Sequence, residues 1–160
     1  MFKKSFVLMI AMLVIFFLGA GNSFAVDIGN GIETGMSISE VSTKYEIEHF
    51  KTSRGLASYQ KTGTGTFYFF NANTNNLIYK IVVLPNKSWD NVKYKLKNKC
   101  GSPFVRKDNK GNPVYFFRSA DTGFKMVKNN WVDNAWQLWC GSISMWDNFA
   151  RNHNMNKFPD

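Results

Sequence analysis

The residues able to do chemistry in this chain are few and scattered. His49 and His153, the only histidines, lie far apart in sequence. Cys100 with either imidazole would make a thiol nucleophile and its base. A second thiol at Cys140 offers a structural alternative, a disulfide. Two thiols alone do not complete a zinc site, and neither histidine sits at ligand spacing from them. Glu46 and Glu48 are close, but one ends a helical stretch and the other opens an extended one, so solvated charge explains both. Asp90, Asp121 and Asp133 fall at caps or turns, where backbone hydrogen bonding accounts for them. Gly63 and Gly65 lack the following Lys-Ser/Thr and helix of a phosphate loop. The reading is therefore no catalytic residue, no metal ligand and no cofactor. A small hydrolase with an unrecognised site is the minor alternative.

The elements that must position any site begin after a leader. Lys3 and Lys4 precede an apolar run from Phe6 to Leu18, and Ser23-Phe24-Ala25 supplies small residues for signal peptidase. The run is shorter than the roughly 18 to 20 residues that span a bilayer. Residues 1–25 are expected to be a signal peptide cleaved after Ala25, leaving an exported, periplasmic or secreted chain with no transmembrane segment. An oxidising compartment favours a Cys100–Cys140 disulfide, worth roughly 4 kcal/mol by the loop-entropy argument. The chain carries 20 Lys and Arg against 11 Asp and Glu, net charge +9. That balance suits acidic partners.

Residues 26–35 read as an extended lead-in. Ser37 with Glu40 forms a capping box, and Ile38, Val41 and Tyr45 make one helical stripe over about 37 to 46. Ile47 to Lys51 and Leu56 to Lys61 are candidate strands around a Thr52–Gly55 turn. Thr66 to Phe70 and Leu77 to Leu84 are strands by their β-branched and aromatic content. A second start at Ser88 opens a helix with Trp89, Val92, Leu96 and Cys100 on one face. Lys93, Lys95, Lys97 and Lys99 cover much of the rest, and Gly101 and Pro103 stop it. Val105 to Lys107, Val114 to Arg118 and Phe124 to Lys128 follow as strands, with Asp121-Thr122-Gly123 as a hairpin signal. Ala135 to Ser144 is one more strand without an obvious counterpart upstream. The rest reads as a loosely held polar tail.

Part of this layout is written twice. Tyr68-Phe69-Phe70 recurs as Tyr115-Phe116-Phe117, and the same ungapped register sets Leu77 on Phe124 and Tyr79 on Met126. The helix start at Ser37 recurs at Ser88. The expected fold class is α+β: two tandem modules, each a short helix followed by an antiparallel sheet, sharing one sheet or core. The boundaries are 26–86 and 87–147, with a polar tail over 148–160. Gly35-Met36-Ser37-Ile38-Ser39-Glu40-Val41 resembles the helix opening of SmpA/BamE-type outer-membrane assembly lipoproteins, although their lipidation cysteine is absent. The tandem layout resembles the β-lactamase-inhibitor protein architecture. Both resemblances imply a sheet whose open face binds another protein, and neither carries a functional residue over.

Alternation assigns the faces. If Cys140 points to the helix layer, Trp136 and Leu138 point with it and Trp139 points away. Arg118 is the residue of its strand least suited to burial, which puts Phe116 outward with it and Tyr115 and Phe117 in the core. The repeat transfers this to Phe67 and Phe69 outward, Tyr68 and Phe70 inward. Lys80 and Lys125 fall outward, opposite Leu77/Tyr79/Ile81 and Phe124/Met126. The candidate partner-binding set is Phe67, Phe69, Phe116, Arg118, Lys125 and Trp139, of the aromatic and cationic kind that interfaces enrich. The expected partner is an envelope or extracellular protein, with the chain acting as inhibitor, immunity-type protein or assembly factor. The alternative is an anionic envelope polymer or lipid held by the lysine-rich second helix. Export argues against nucleic acid, although aromatics among cations could stack single strands.

Overall fold

The computed structural model describes residues 26–85, 88–128 and 135–159. The expected signal peptide and Asp133 lie outside the described residues. Among those described, three helices and eight strands form an α+β fold around one antiparallel sheet. Helix α1 (Ile38–Lys44) leads into β1 (Ile47–Ser53), β2 (Leu56–Lys61), β3 (Thr66–Asn71) and β4 (Leu77–Pro85). Helix α2 (Trp89–Cys100) leads into β5 (Phe104–Lys107), β6 (Pro113–Ser119), β7 (Thr122–Lys128) and β8 (Ala135–Ser142), and α3 (Ile143–Asn152) follows. Both segments flanking the early turn become strands, joined by Arg54-Gly55 at φ 51° and 77°. Two successive positive φ values suit the twist of a tight hairpin, and glycine takes the second without a Cβ penalty.

The strand order is β1-β2-β3-β4-β8-β7-β6-β5. Each module is a helix plus a four-stranded meander, and the two meanders join through β4 and β8 into one sheet. This corrects the register of the repeat. The Tyr-Phe-Phe match lays β3 on β6 and β4 on β7, whereas the shared strand order sets β3 against β7 and β4 against β8. The strand from Ala135 thus has its counterpart in β4. The recurrence reflects the common need of both strands for large rings on the helix side.

Helices α1 and α2 cover one face. Val41, Leu96 and Trp89 meet Tyr68, Phe70, Leu77, Phe117, Phe124 and Met126 in one buried cluster. The Ser37–Glu40 box forms as expected: the Glu40 amide donates to Ser37 Oγ at 3.2 Å and the Ser37 amide donates to Glu40 Oε2 at 2.7 Å. Ser88 precedes α2 without a side-chain cap bond. The lead-in is folded rather than extended. Asp27 bridges to Glu33, and Ile28 and Ile32 are buried in the helix-side cluster.

The disulfide expectation is corrected. Cys100 and Cys140 share the helix-side cluster, but both are free thiols. Burial pushes both pKa values up, that of Cys140 to about 11. The thiolate that disulfide exchange requires is correspondingly scarce. The orientation inferred from the bond nevertheless holds through packing. Trp136 stacks on Trp89 with ring centroids 3.5 Å apart, and Leu138 packs on the helix-side cluster.

The polar-tail expectation is also corrected. The chain from 143 turns back across the other face of the sheet as α3, and Phe158 beyond it is buried at 7 % exposure. The helix is anchored at its start by Asp121 in the β6–β7 turn. The Asp121 carboxylate accepts from the Ser144 amide at 2.9 Å and the Ser144 hydroxyl at 2.8 Å, and also from the Ser142 hydroxyl. Ser142 Oγ in turn accepts from the Met145 amide at 3.2 Å. The sheet is therefore sandwiched, with α1 and α2 on one side and α3 on the other. Among the described residues no helix is long and apolar enough to cross a membrane.

Candidate functional site

The candidate residues meet on the α3 side of the sheet. Cross-strand pairing aligns Gln60, Phe67, Ile81, Trp139, Lys125, Phe116 and Phe104 in one row across seven strands. The next row runs Lys51, Ser58, Phe69, Tyr79, Gly141, Gly123 and Arg118. Directly paired residues share a face. Phe67, Phe69, Phe116, Arg118, Lys125 and Trp139 thus lie on one face in two adjacent rows.

The assignment of β4 is corrected. Phe69 pairs with Tyr79 and Phe70 with Leu77, so the ladder skips Ile78. One extra residue reverses the alternation beyond it. Tyr79 and Ile81 therefore face α3, and Lys80 faces the helix side, paired with Tyr68 and Cys140. Burial lowers the Lys80 pKa, with Cys140 and Asp27 opposing that shift.

The face divides into a covered and an open half. Over the covered half, the Phe158 ring stacks on Trp139 at 5.4 Å and meets Phe116 edge-on at 5.6 Å. Trp146 of α3 sits edge-on to Tyr79 at 5.4 Å. The Phe158 amide donates to Asp147 Oδ1 at 2.8 Å, and Trp146 Nε1 donates to the Asn156 carbonyl at 3.1 Å. Trp139 is left 9 % exposed, a core residue rather than an open anchor. Gly123 is no turn glycine, because Ser119 already pairs with Thr122 around Ala120-Asp121. Its missing side chain clears space: a Cβ there would stand 2.9 Å from both Phe158 and Ile143.

A groove and a cleft lie beside this cover. A groove of about 330 Å³ on the open half is lined by Phe50, Leu56, Phe67, Phe69, Ile81, Val83 and Met155, with Lys51 and Arg54 also contributing. Phe50, at the β1 bulge, is 61 % exposed and meets Phe67 edge-on at 5.4 Å. A cleft of about 420 Å³ lies between the sheet and the segment Met155–Pro159, with Tyr79, Phe116, Lys125, Trp139, Trp146 and Arg106 in its walls. Lys125 is half-buried there, its ammonium 5.9 Å from the Phe116 ring centre, and burial lowers its pKa.

The residues missed in the sequence are Phe50, Tyr79, Trp146 and Phe158. A signal for Trp146 was present: Ser142 as a cap, then Ile143, Trp146, Phe149 and Ala150 at helical spacing. His49 bonds Thr52, and His153 stacks on Phe149 while its Nδ1 lies 2.9 Å from the Phe149 carbonyl. Among the described residues no three of His, Cys, Asp or Glu gather into a metal-binding group.

Fold and face together define an α+β protein with one antiparallel sheet, whose second face is half closed by its own C-terminal segment. No family model, curated protein or solved structure matches the chain.

Proposed function

We propose that the protein is an exported binding module that recognises another protein through the open half of its aromatic sheet face. The observation that carries this reading is the unequal cover of one continuous row. Trp139 and Phe116 are closed over by Phe158, while Phe67 and the exposed Phe50 continue the same apolar surface without a lid. Exposed contiguous apolar surface on a folded chain marks an interaction site. Lys51 and Arg54 at the groove and the net charge of +9 favour a partner segment combining apolar and acidic side chains. An inhibitor, an immunity-type protein or an envelope-assembly factor would each use such a face.

The lysine-rich helix supports the polyanion alternative less well. Lys93 folds over the Tyr115 ring at 4.0 Å and Lys99 leans toward Phe124 at 5.7 Å, so these two stems serve the sheet rather than one outward row.

The test is retention of envelope and extracellular proteins on the immobilised chain as salt rises. A protein partner held by the groove stays bound at moderate salt and is lost, by about tenfold or more in affinity, in Phe50→Ala/Phe67→Ala. Complete release at moderate salt points to polyanion binding instead, since screening weakens exposed charge contacts most. Retention unchanged by the double substitution would rule the groove out. Mass analysis of the exported protein should give a chain beginning at Val26.

A further inference from the structure

The geometry points to the cleft beneath the C-terminal segment as a binding site for an organic anion carried on an aromatic body. Its volume, about 420 Å³, falls within the range of small-molecule sites. Three cations line it, Arg106, Lys125 and Lys157, and among the described residues no Asp or Glu does. Trp139 and Trp146, set edge to face with ring centroids 6.2 Å apart, give the cleft an aromatic wall, and the half-buried Trp146 offers the larger surface for a ligand ring to lie against.

Lys125 is the informative residue. Pairing sets it in the sheet between Phe116 and Trp139, so its stem is enclosed by rings and its ammonium opens into the cleft. A charge held among apolar groups is unfavourable unless it meets a counter-charge or hydrogen-bond acceptors. The ring of Phe116 at 5.9 Å is a weak substitute. No acceptor for Lys125 is found among the described residues; a carboxylate entering the cleft would supply one, and Arg106 and Lys157 at the rim would add attraction from the solvent side. The inference concerns the cleft and stands whether or not a protein docks in the neighbouring groove, although Ile81 and Met155 line both.

The test is fluorine NMR of 4-fluorophenylacetate titrated with the full chain. The neutral 4-fluorophenethyl alcohol and inorganic phosphate serve as comparison probes. The acid should broaden and shift on binding, at least about tenfold more tightly than the alcohol. Lys125→Gln should weaken it by about tenfold or more, and Lys157→Gln, at an exposed position, by a smaller factor with the fold untouched. Phe67→Ala should leave it unchanged, which separates this site from the groove. Equal binding of acid and alcohol, or no binding of the acid, would overturn the proposal. So would phosphate binding as tightly as the acid, because the aromatic walls would then contribute nothing. Asp160 follows Pro159 in the sequence, so Asp160→Asn is titrated in parallel. Binding that emerges only in that variant would mean the cations serve the chain's own carboxylate.

Discussion

Cys140 lies 4 % exposed on the helix side of β8, paired with Lys80 and Phe124. Burial raises its pKa to about 11, with Lys80 and Lys99 opposing. At mildly alkaline pH, iodoacetamide should therefore label the half-buried Cys100 well before Cys140. Equal labelling rates would mean that β8 is open to solvent. The same shift has a sign in stability. In the unfolded chain the thiol ionises near its ordinary value, about 8.5, while the folded chain holds the proton up to about 11. Between those values the unfolded state binds fewer protons, so this contribution is complete below about 8.5 and is lost as pH rises toward 11. The drop in denaturant midpoint across that window should be smaller in Cys140→Ala than in the parent. Asp121 acts through hydrogen bonds instead. Replacing it with Ala leaves the Ser144 amide without this acceptor and the buried Ser142 hydroxyl with only the Ser144 hydroxyl, at 3.1 Å, to bond. The expected destabilisation is about 1–3 kcal/mol, read by urea unfolding.

At the scale of elements, two strand glycines decide how closely neighbours meet, one within the sheet and one between the sheet and the segment that crosses it. Gly141 of β8 pairs with Tyr79 of β4, and a Cβ at Gly141 would stand 2.5 Å from the Tyr79 Cβ and 2.8 Å from the Ile78 carbonyl oxygen. Those atoms belong to the bulged segment of the neighbouring strand and have little freedom to withdraw. The nearest atoms to a Cβ at Gly123 are side-chain atoms of Ile143 and Phe158, which can shift where backbone cannot. Overpacking typically costs about 1–3 kcal/mol and more where nothing can move. Gly141→Ala should therefore lower the melting temperature more than Gly123→Ala. Gly123→Ala should chiefly loosen the C-terminal segment, seen as faster proteolysis after α3. The reverse ranking would mean that the β4–β8 seam relaxes more readily than its backbone contacts allow.

For the whole molecule, the main fact is asymmetry between two modules of the same strand order. Helices α1 and α2 close the helix side of both halves, whereas on the other side α3 packs over the central strands β4 and β8 and Phe158 over β8 and β6, leaving Phe50 and Phe67 of the first half outside that cover. Removing the Phe158 ring should test this division. Truncating a buried Phe to Ala costs about 3–5 kcal/mol where the surroundings cannot adjust, and a terminal segment that lifts away sets a lower ceiling. Phe158→Ala should keep the sheet, as judged by far-ultraviolet circular dichroism. Acrylamide should then reach Trp139 and Trp146, giving stronger quenching of tryptophan fluorescence. Unchanged quenching would mean that Phe158 is not the lid over Trp139.

Local chemistry was legible from the residues alone. The Ser37–Glu40 box, the stripes of α1 and α2, and the alternation of Tyr68/Phe70 and Tyr115/Phe117 against Phe69 and Phe116 depend on neighbours a few positions away. The same dependence made all six candidate residues share one face even though the repeat register was one strand out. What the tertiary structure decided needed distant partners. The bulge at Ile78 belongs to the pairing of β4 with β3, and it turns Tyr79 toward α3 and Lys80 toward α1 and α2. Gly123 looks like a turn residue until Phe158, 35 positions away in sequence, is placed against it. The fate of Trp139 shows the limit most plainly. Strand alternation sets which side of the sheet it faces, but whether that side meets water depends on where the last eighteen or so residues pack, a question of long-range burial rather than local geometry.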